Sequence, residues 1–241
     1  MPPQIDAHRG ECGVAGLSAA ERYKRAIDLG VDWVEIDVRR TSDGVYVNYH
    51  DHLTPAHRQV NGLTWSELSA ELGSQAQTVA EVLDIVVGRV GLHVDVKETG
   101  YERETVAMLL ARIGTGRIVF TGEDESVKVI KEHFPQVRAG LTLGWDSAGA
   151  TPWLTLKVRL SELFPHRRVV ASHADFIAAH QRLARANVLR YCAGRGMPAW
   201  VWTVDEEPDI ARFLSDRRVT VLITNRPDIA KRFAREPAPS P

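Results

Sequence analysis

The chain has 241 residues, a formal net charge of −1 and two cysteines. That length buries a sizeable core, and the balanced charge gives no sign of a basic footprint for nucleic acid or of a membrane-binding basic face. Cys12 and Cys192 stand too far apart for a zinc motif, so free thiols in a reducing compartment are expected. The opening Met1-Pro2-Pro3-Gln4-Ile5-Asp6 lacks the basic start and apolar stretch of a signal peptide, and no apolar run nears the ~20 residues of a membrane helix. A cytoplasmic protein with no stable membrane insertion is therefore expected.

Short apolar runs alternate with longer amphipathic ones, the pattern of parallel β/α units. A strand at 4–7 leads into a helix at 19–29, which opens on a capping box with Ser18 as N-cap and Glu21 reaching back. Strands at 33–38 and 45–49 follow, joined by Arg39-Arg40-Thr41-Ser42-Asp43-Gly44. The Asp43-Gly44 turn signal, and a link far shorter than a parallel crossover needs, predict an antiparallel hairpin here. Helices at 78–87, 103–113 and 125–133 alternate with strands at 91–96, 117–121 and 138–143. Residues 160–165 are ambiguous. A strand is predicted at 168–172 and a helix at 178–195, then strands at 199–204 and 219–224 with helices at 208–215 and 229–234. Nine strands are one too many for a barrel. Setting the hairpin strand aside leaves eight parallel ones, the number of a TIM (β/α)8 barrel with a β-hairpin extension after the second strand. Residues 1–235 form one domain on this reading, and 236–241 a disordered tail.

Within a strand, residues two apart share a face, so Glu35 and Asp37 project together while Val34, Ile36 and Val38 face the helices. Paired carboxylates resist burial unless something positive lies between them, either a hard divalent cation or arginine side chains. His93, Asp95 and Lys97 alternate in the same way on a strand that a parallel barrel would otherwise make apolar throughout. Asp95 is a third carboxylate for the same ion, Lys97 a rim cation suited to an anion, and His93, lying deeper, a hydrogen-bonded core histidine. His8-Arg9-Gly10 ends the first strand: an imidazole that titrates near neutrality, a planar fork matching phosphate, and a glycine permitting a sharp turn or close approach. His50-Asp51 follows the hairpin strand and returns toward Glu35. Gathered at the C-terminal ends of the strands, where barrel enzymes place their chemistry, these residues suit phosphoryl transfer. The metal and Arg9 would neutralise the phosphate, with one histidine as base and the other as acid.

The ordered series resembles the glycerophosphodiester phosphodiesterase family over most of the chain. His8-Arg9-Gly10 is similar to the family's opening motif. Residues 28–38, containing Glu35-Ile36-Asp37-Val38, resemble its Glu-x-Asp-Val block, and Thr41-Ser42-Asp43-Gly44 through His50-Asp51 resembles its next segment. Asp95-Val96-Lys97 lies where the family has Glu-Ile-Lys, and Val201-Trp202-Thr203-Val204 and Ile223-Thr224-Asn225-Arg226-Pro227 resemble its late motifs. The resemblance implies hydrolysis of a small glycerophosphodiester to glycerol 3-phosphate and an alcohol. It implies Mg2+ or Ca2+ held by Glu35, Asp37 and Asp95, His8 and His50 as the acid/base pair, and Arg9 and Lys97 on the phosphate. Trp202 would line the pocket. The chain departs from the family at Gly16-Leu17-Ser18-Ala19, where Pro-Glu-Asn-Thr is usual, at Asp95 and Asn225 in place of Glu and Asp, and in a short stretch from Asp51 to Gly91. The same residues also suit a phosphodiester lyase forming a cyclic phosphate, and a catalytically silent barrel binding an anionic ligand is a further reading.

Overall fold

Nine strands alternate with helices along the computed structural model, which describes residues 2–144 and 151–235. They are β1 (Gln4–Ala7), β2 (Trp33–Arg40), β3 (Tyr46–Asn48), β4 (Gly91–Val96), β5 (Ile118–Gly122), β6 (Arg138–Leu143), β7 (Phe176–His180), β8 (Ala199–Trp202) and β9 (Val221–Thr224). Around the sheet the order is β1-β9-β8-β7-β6-β5-β4-β2, and β1 pairs back onto β2, so eight parallel strands close a (β/α)8 barrel. The remaining strand, β3, is antiparallel to β2 with Val38 opposite Asn48 and Arg40 opposite Tyr46, as the Asp-Gly turn requires. Thr41 and Asp43 hold that turn through a 2.6 Å hydroxyl-to-carboxylate bond. Among the described residues no helix is long and apolar enough to cross a membrane. The expected tail, 236–241, lies outside the described residues.

The first helix, α1 (Ala19–Asp28), starts at the capping box read from the sequence: Ser18 accepts from the Glu21 amide and Glu21 accepts from the Ser18 amide. The same device opens α2 (Trp65–Leu72) and α3 (Val79–Val86) at Thr64/Glu67 and Thr78/Glu81. The following helices are α4 (Glu102–Ile113), α5 (Asp124–His133), α6 (Pro152–Leu163) and α7 (His166–Ser172). Two expectations fail here. The segment 168–172 belongs to α7, not to a strand, and the seventh strand of the chain lies eight residues later at Phe176–His180, overlapping the start of the predicted helix 178–195. The helical part of that stretch begins only at Gln181 and passes through a π turn at Ala184–Val188. Phe176–Ala179 is buried throughout, and pairing on both sides with β6 and β8 overrides the helix preference of its alanines.

Two apolar layers fill the barrel. Outside, Val34, Ile36, Val38, Leu92, Val94 and their counterparts on other strands pack against the helices, as their alternation predicts. Inside, the floor is aromatic: Trp200 stacks on Phe176 with centroids 4.9 Å apart and lies 5.7 Å from Trp33. Gly91 and Gly140 make room for these rings, since a Cβ there would lie 2.4 Å from Trp33 and 2.5 Å from Phe176 respectively. With bulk at the bottom, the polar residues of β2 and β4 occupy the layers above, toward the C-terminal mouth.

Candidate active site

Parallel pairing of β2 with β4 puts Glu35 opposite His93 and Asp37 opposite Asp95. One carboxylate oxygen from each of Glu35, Asp37 and Asp95 falls within 4.8 Å of the others, and all three residues are buried. Lys97, just past the end of β4, does not stand free at the rim. Its ammonium reaches inward, donating to Asp95 and lying 2.9 Å from Asp37 Oδ1. Burial pulls the Lys97 pKa down, but Asp95 and Asp37 outweigh it and the net shift is upward; Asp95 is held low by Lys97 against its own burial. Glu35 receives less compensation. Burial and the neighbouring Asp37 charge push its carboxyl up to about 8. Ionising all three carboxylates together therefore costs more than Lys97 and Arg9 offset. With an all-oxygen donor set, it fits a hard divalent cation.

Arg9 and His8 enter from the turn after β1. Arg9 has a left-handed backbone (φ 53°), its amide donates to Glu35 Oε2 at 2.8 Å, and its Nε lies 3.5 Å from Asp37 Oδ2. Its guanidinium is part-exposed. The His8 tautomer follows from the bonds behind it. Asp205 accepts from both the Asn225 amide and its side-chain Nδ2, each at 2.8 Å, which leaves Asn225 Oδ1 as the acceptor 2.8 Å from His8 Nδ1. His8 Nδ1 therefore carries a hydrogen, and Nε2, 3.8 Å from Glu35 Oε2, has the free lone pair in the neutral ring. His50 is fixed in the same sense, its Nδ1 facing Asp51 Oδ1 at 2.7 Å. Burial lowers both imidazole pKa values, reinforced by Arg9 at His8 and by Lys97 at His50.

The hairpin brings His50 to the mouth. Tyr49 donates its amide to the Asp37 carbonyl, and Asn48 Oδ1 accepts from the Asp37 amide, so β3 is sewn to β2 at the level of the carboxylates. Buried Arg39 then reaches across: its Nε and Nη2 donate to the His50 carbonyl at 3.1 and 2.8 Å, and its Nη1 to Glu98 at 2.6 Å. Sequence reasoning passed over Arg39, although its two-residue step from Asp37 is the signal that found Glu35. It also gave no part to Thr121, opposite Asp95 on β5, which donates to Asp95 Oδ1 at 2.8 Å. His93 is the core histidine expected, bonded to Asp6 and Thr121.

His8, Arg9, Glu35, His50, Asp95 and Lys97 line one cleft of about 910 Å³. Asp37 lies immediately beneath them. Trp202 forms part of the wall, its indole N–H donating to the Ala178 carbonyl at 3.0 Å. The adjoining wall is the inner side of α6, through Val158, Ser161 and Glu162. All eight residues singled out from the sequence thus lie in or against one mouth.

Comparison with known proteins agrees with this geometry. The model of the glycerophosphoryl diester phosphodiesterase family matches residues 8–229, from the first histidine to the last helix. The chain belongs to that family. Its members are phosphoric diester hydrolases, and so is this protein. Among curated relatives, the probable glycerophosphodiester phosphodiesterase 2 of Mycobacterium tuberculosis is 26% identical over 238 residues, covering 93% of this chain and 88% of its own. A glycerophosphodiester phosphodiesterase of Caldanaerobacter subterraneus is 23% identical, covering 95% of this chain and 96% of its own. Among solved structures, a glycerophosphodiester phosphodiesterase from Parabacteroides distasonis superposes with a TM-score of 0.78 at 19% identity, covering 96% of both chains. An Oleispira antarctica phosphodiesterase in complex with the product sn-glycerol-3-phosphate gives a TM-score of 0.74 at 18% identity, covering 98% of both. At those identities the superpositions speak for the barrel alone.

Proposed function

We propose that residues 1–235 act as one catalytic domain that hydrolyses a small glycerophosphodiester to glycerol 3-phosphate and an alcohol. One observation carries the reading: two imidazoles, each with Nδ1 tied to an acceptor and Nε2 left for chemistry, share a cleft with a buried cluster of three carboxylates and two cations. Glu35, Asp37 and Asp95 would hold Mg2+ or Ca2+, which when bound supplies positive charge to a phosphoryl oxygen. Arg9, its guanidinium part-exposed in the cleft, offers a fork to the phosphate, and Lys97 adds a point charge beside it. Neutral His8 or His50 accepts the proton that water loses as its oxygen bonds to phosphorus. The other imidazole, protonated, delivers its Nε2 hydrogen to the departing alcohol oxygen as the P–O bond breaks. Burial makes both rings less basic than usual, and an incoming diester anion shifts them back toward protonation. Trp202 gives the organic part of the substrate an apolar wall. The product of the Oleispira relative, glycerol 3-phosphate, supports this choice of substrate.

Phosphorus NMR of glycerophosphocholine turnover with added Mg2+ or Ca2+ tests the proposal. Glycerol 3-phosphate should accumulate, and His8→Ala or a chelator should each abolish it. A cyclic phosphate as end product would replace the hydrolase by the lyase, and activity surviving both changes would defeat the mechanism. No turnover of this or a generic diester such as bis(p-nitrophenyl) phosphate would leave the silent barrel.

A further inference from the structure

Barrel helices ordinarily turn apolar residues inward and charges outward, and the last helix (Pro227–Arg235) does so by burying Pro227, Ile229 and Ala230. The segment after β6 does the reverse. Five of the seven large apolar side chains exposed among the described residues lie between Trp153 and Val170: Trp153, Leu156, Leu160, Phe164 and Val170. Trp153 is 75% exposed and Phe164 65%. Trp153, Leu156 and Leu160 follow helical spacing on α6, and Phe164 continues the stripe one turn beyond Leu160. A contiguous exposed stripe of this kind marks a surface that something covers.

Within the segment itself the exposed charges have one sign. From Thr151 to His173 the only carboxylate is Glu162, which is buried and paired with Arg159. Arg168 is spent on Asp124. Lys157 and Arg167 remain, both exposed and neither in an ion pair with a described residue. The position is also specific. Val158, Ser161 and Glu162 on the inner side of α6 line the catalytic cleft, and Glu162 accepts from the Gly144 amide at 2.7 Å, fastening the helix to the C-terminal end of β6. The apolar stripe is therefore the outer side of the active-site wall.

We propose that the outer face of α6 and the turn into α7 docks onto an anionic lipid surface, so that the cleft opens beside the headgroups. Aromatic and aliphatic side chains on one face, lysine and arginine at the edge and no exposed acid between Thr151 and His173 are the composition of a helix lying in a bilayer interface rather than spanning it. A second copy of the chain fits less well. A twofold contact would set this patch against itself, bringing Lys157 and Arg167 together with no carboxylate to meet them. The proposal goes beyond the diesterase reading and does not depend on it, because docking is read by binding, not turnover.

The test is co-sedimentation of the full chain with vesicles of phosphatidylcholine containing phosphatidylglycerol, and with phosphatidylcholine alone. Binding to the anionic vesicles is expected, weakening with salt. The variant Trp153→Ser/Leu160→Ser/Phe164→Ser should lose at least tenfold in partitioning with its circular dichroism unchanged. Lys157→Glu/Arg167→Glu should lose roughly fivefold or more per position, and it reads the proposal even where the triple variant fails to fold. Absence of vesicle binding by the wild type overturns the proposal, as does equal binding by both variants. Light scattering that shows a dimer dissolved by the triple substitution assigns the stripe to a second copy and overturns it too.

Discussion

Replacing Gly10 with alanine should destabilise the protein by about 2–5 kcal/mol, and the figure is built from two parts. Gly10 sits at φ +66°, where an L side chain costs about 1–2 kcal/mol. An added Cβ would also lie 2.5 Å from the ring of Tyr23. That ring cannot retreat freely. It is fully buried, its hydroxyl donates to the Glu35 carbonyl at 2.8 Å, and it accepts from Asn48 at 3.0 Å. Overpacking of this kind adds about 1–3 kcal/mol. Gly30 supplies the control: its φ is +79°, yet nothing lies within 4 Å of its Cβ position, so Gly30→Ala carries only the backbone part. Urea denaturation of both variants and of Gly10→Ala/Tyr23→Leu decides the matter. The double variant should be less destabilised than the sum of its parts, because removing the ring removes the clash. Gly10→Ala no costlier than Gly30→Ala would refute the reasoning and return Gly10 to a simple turn role.

Titration of the His8 and His50 imidazoles by proton NMR on the metal-free chain should give midpoints below the ordinary histidine value, since burial and the nearby cations disfavour the charged rings. A midpoint at or above 6.5 for either contradicts that origin. Asn225→Ala frees the His8 ring from its Nδ1 acceptor, and steady-state kinetics should show kcat falling roughly 10–100-fold, with KM changed only a few-fold. Unchanged kcat would mean the tautomer is set elsewhere. Arg39→Met removes three donated hydrogen bonds, so denaturation should show a loss of about 1–3 kcal/mol, and kcat should fall with it. A folded variant with intact kcat would separate Arg39 from the placement of His50.

The carboxylates were legible because a parallel barrel strand is apolar on both faces by default, so Glu35, Asp37 and Asp95 stand out against their neighbours at period two. The hairpin was legible because a six-residue link with Asp-Gly excludes a crossover. Phe176–His180 was not, because its alanines favour helix while the valines of 168–172 favour strand, and both local preferences lose to the position of each segment between barrel neighbours. The strand count therefore came out correctly with one strand misplaced. Helix α2 carried a readable signal, Thr64 followed by Glu67, that was not used. The ambiguity of 160–165 has a physical source: Leu160 and Phe164 face outward, so apolar periodicity there does not report burial.

His93 shows how the barrel floor supports its mouth. Thr121 donates its hydroxyl hydrogen to Asp95 Oδ1, so its oxygen must accept from His93 Nε2, 2.8 Å away. Nδ1 on the other side of the ring faces the Asp6 carboxylate at 2.7 Å. Burial pulls this imidazole down, but Asp6, Glu35 and Asp95 together outweigh it, and the net shift is upward. The ring lies beneath the three carboxylates, whose charge favours its protonated form, and packs edge-on against Trp200 at 5.0 Å. A histidine bonded only for packing would need neither an acid below it nor a hydroxyl relay above it. The chain Asp6–His93–Thr121–Asp95 instead fixes the orientation of one carboxylate and gives the cluster a hydrogen-bonded polar support inside an apolar barrel.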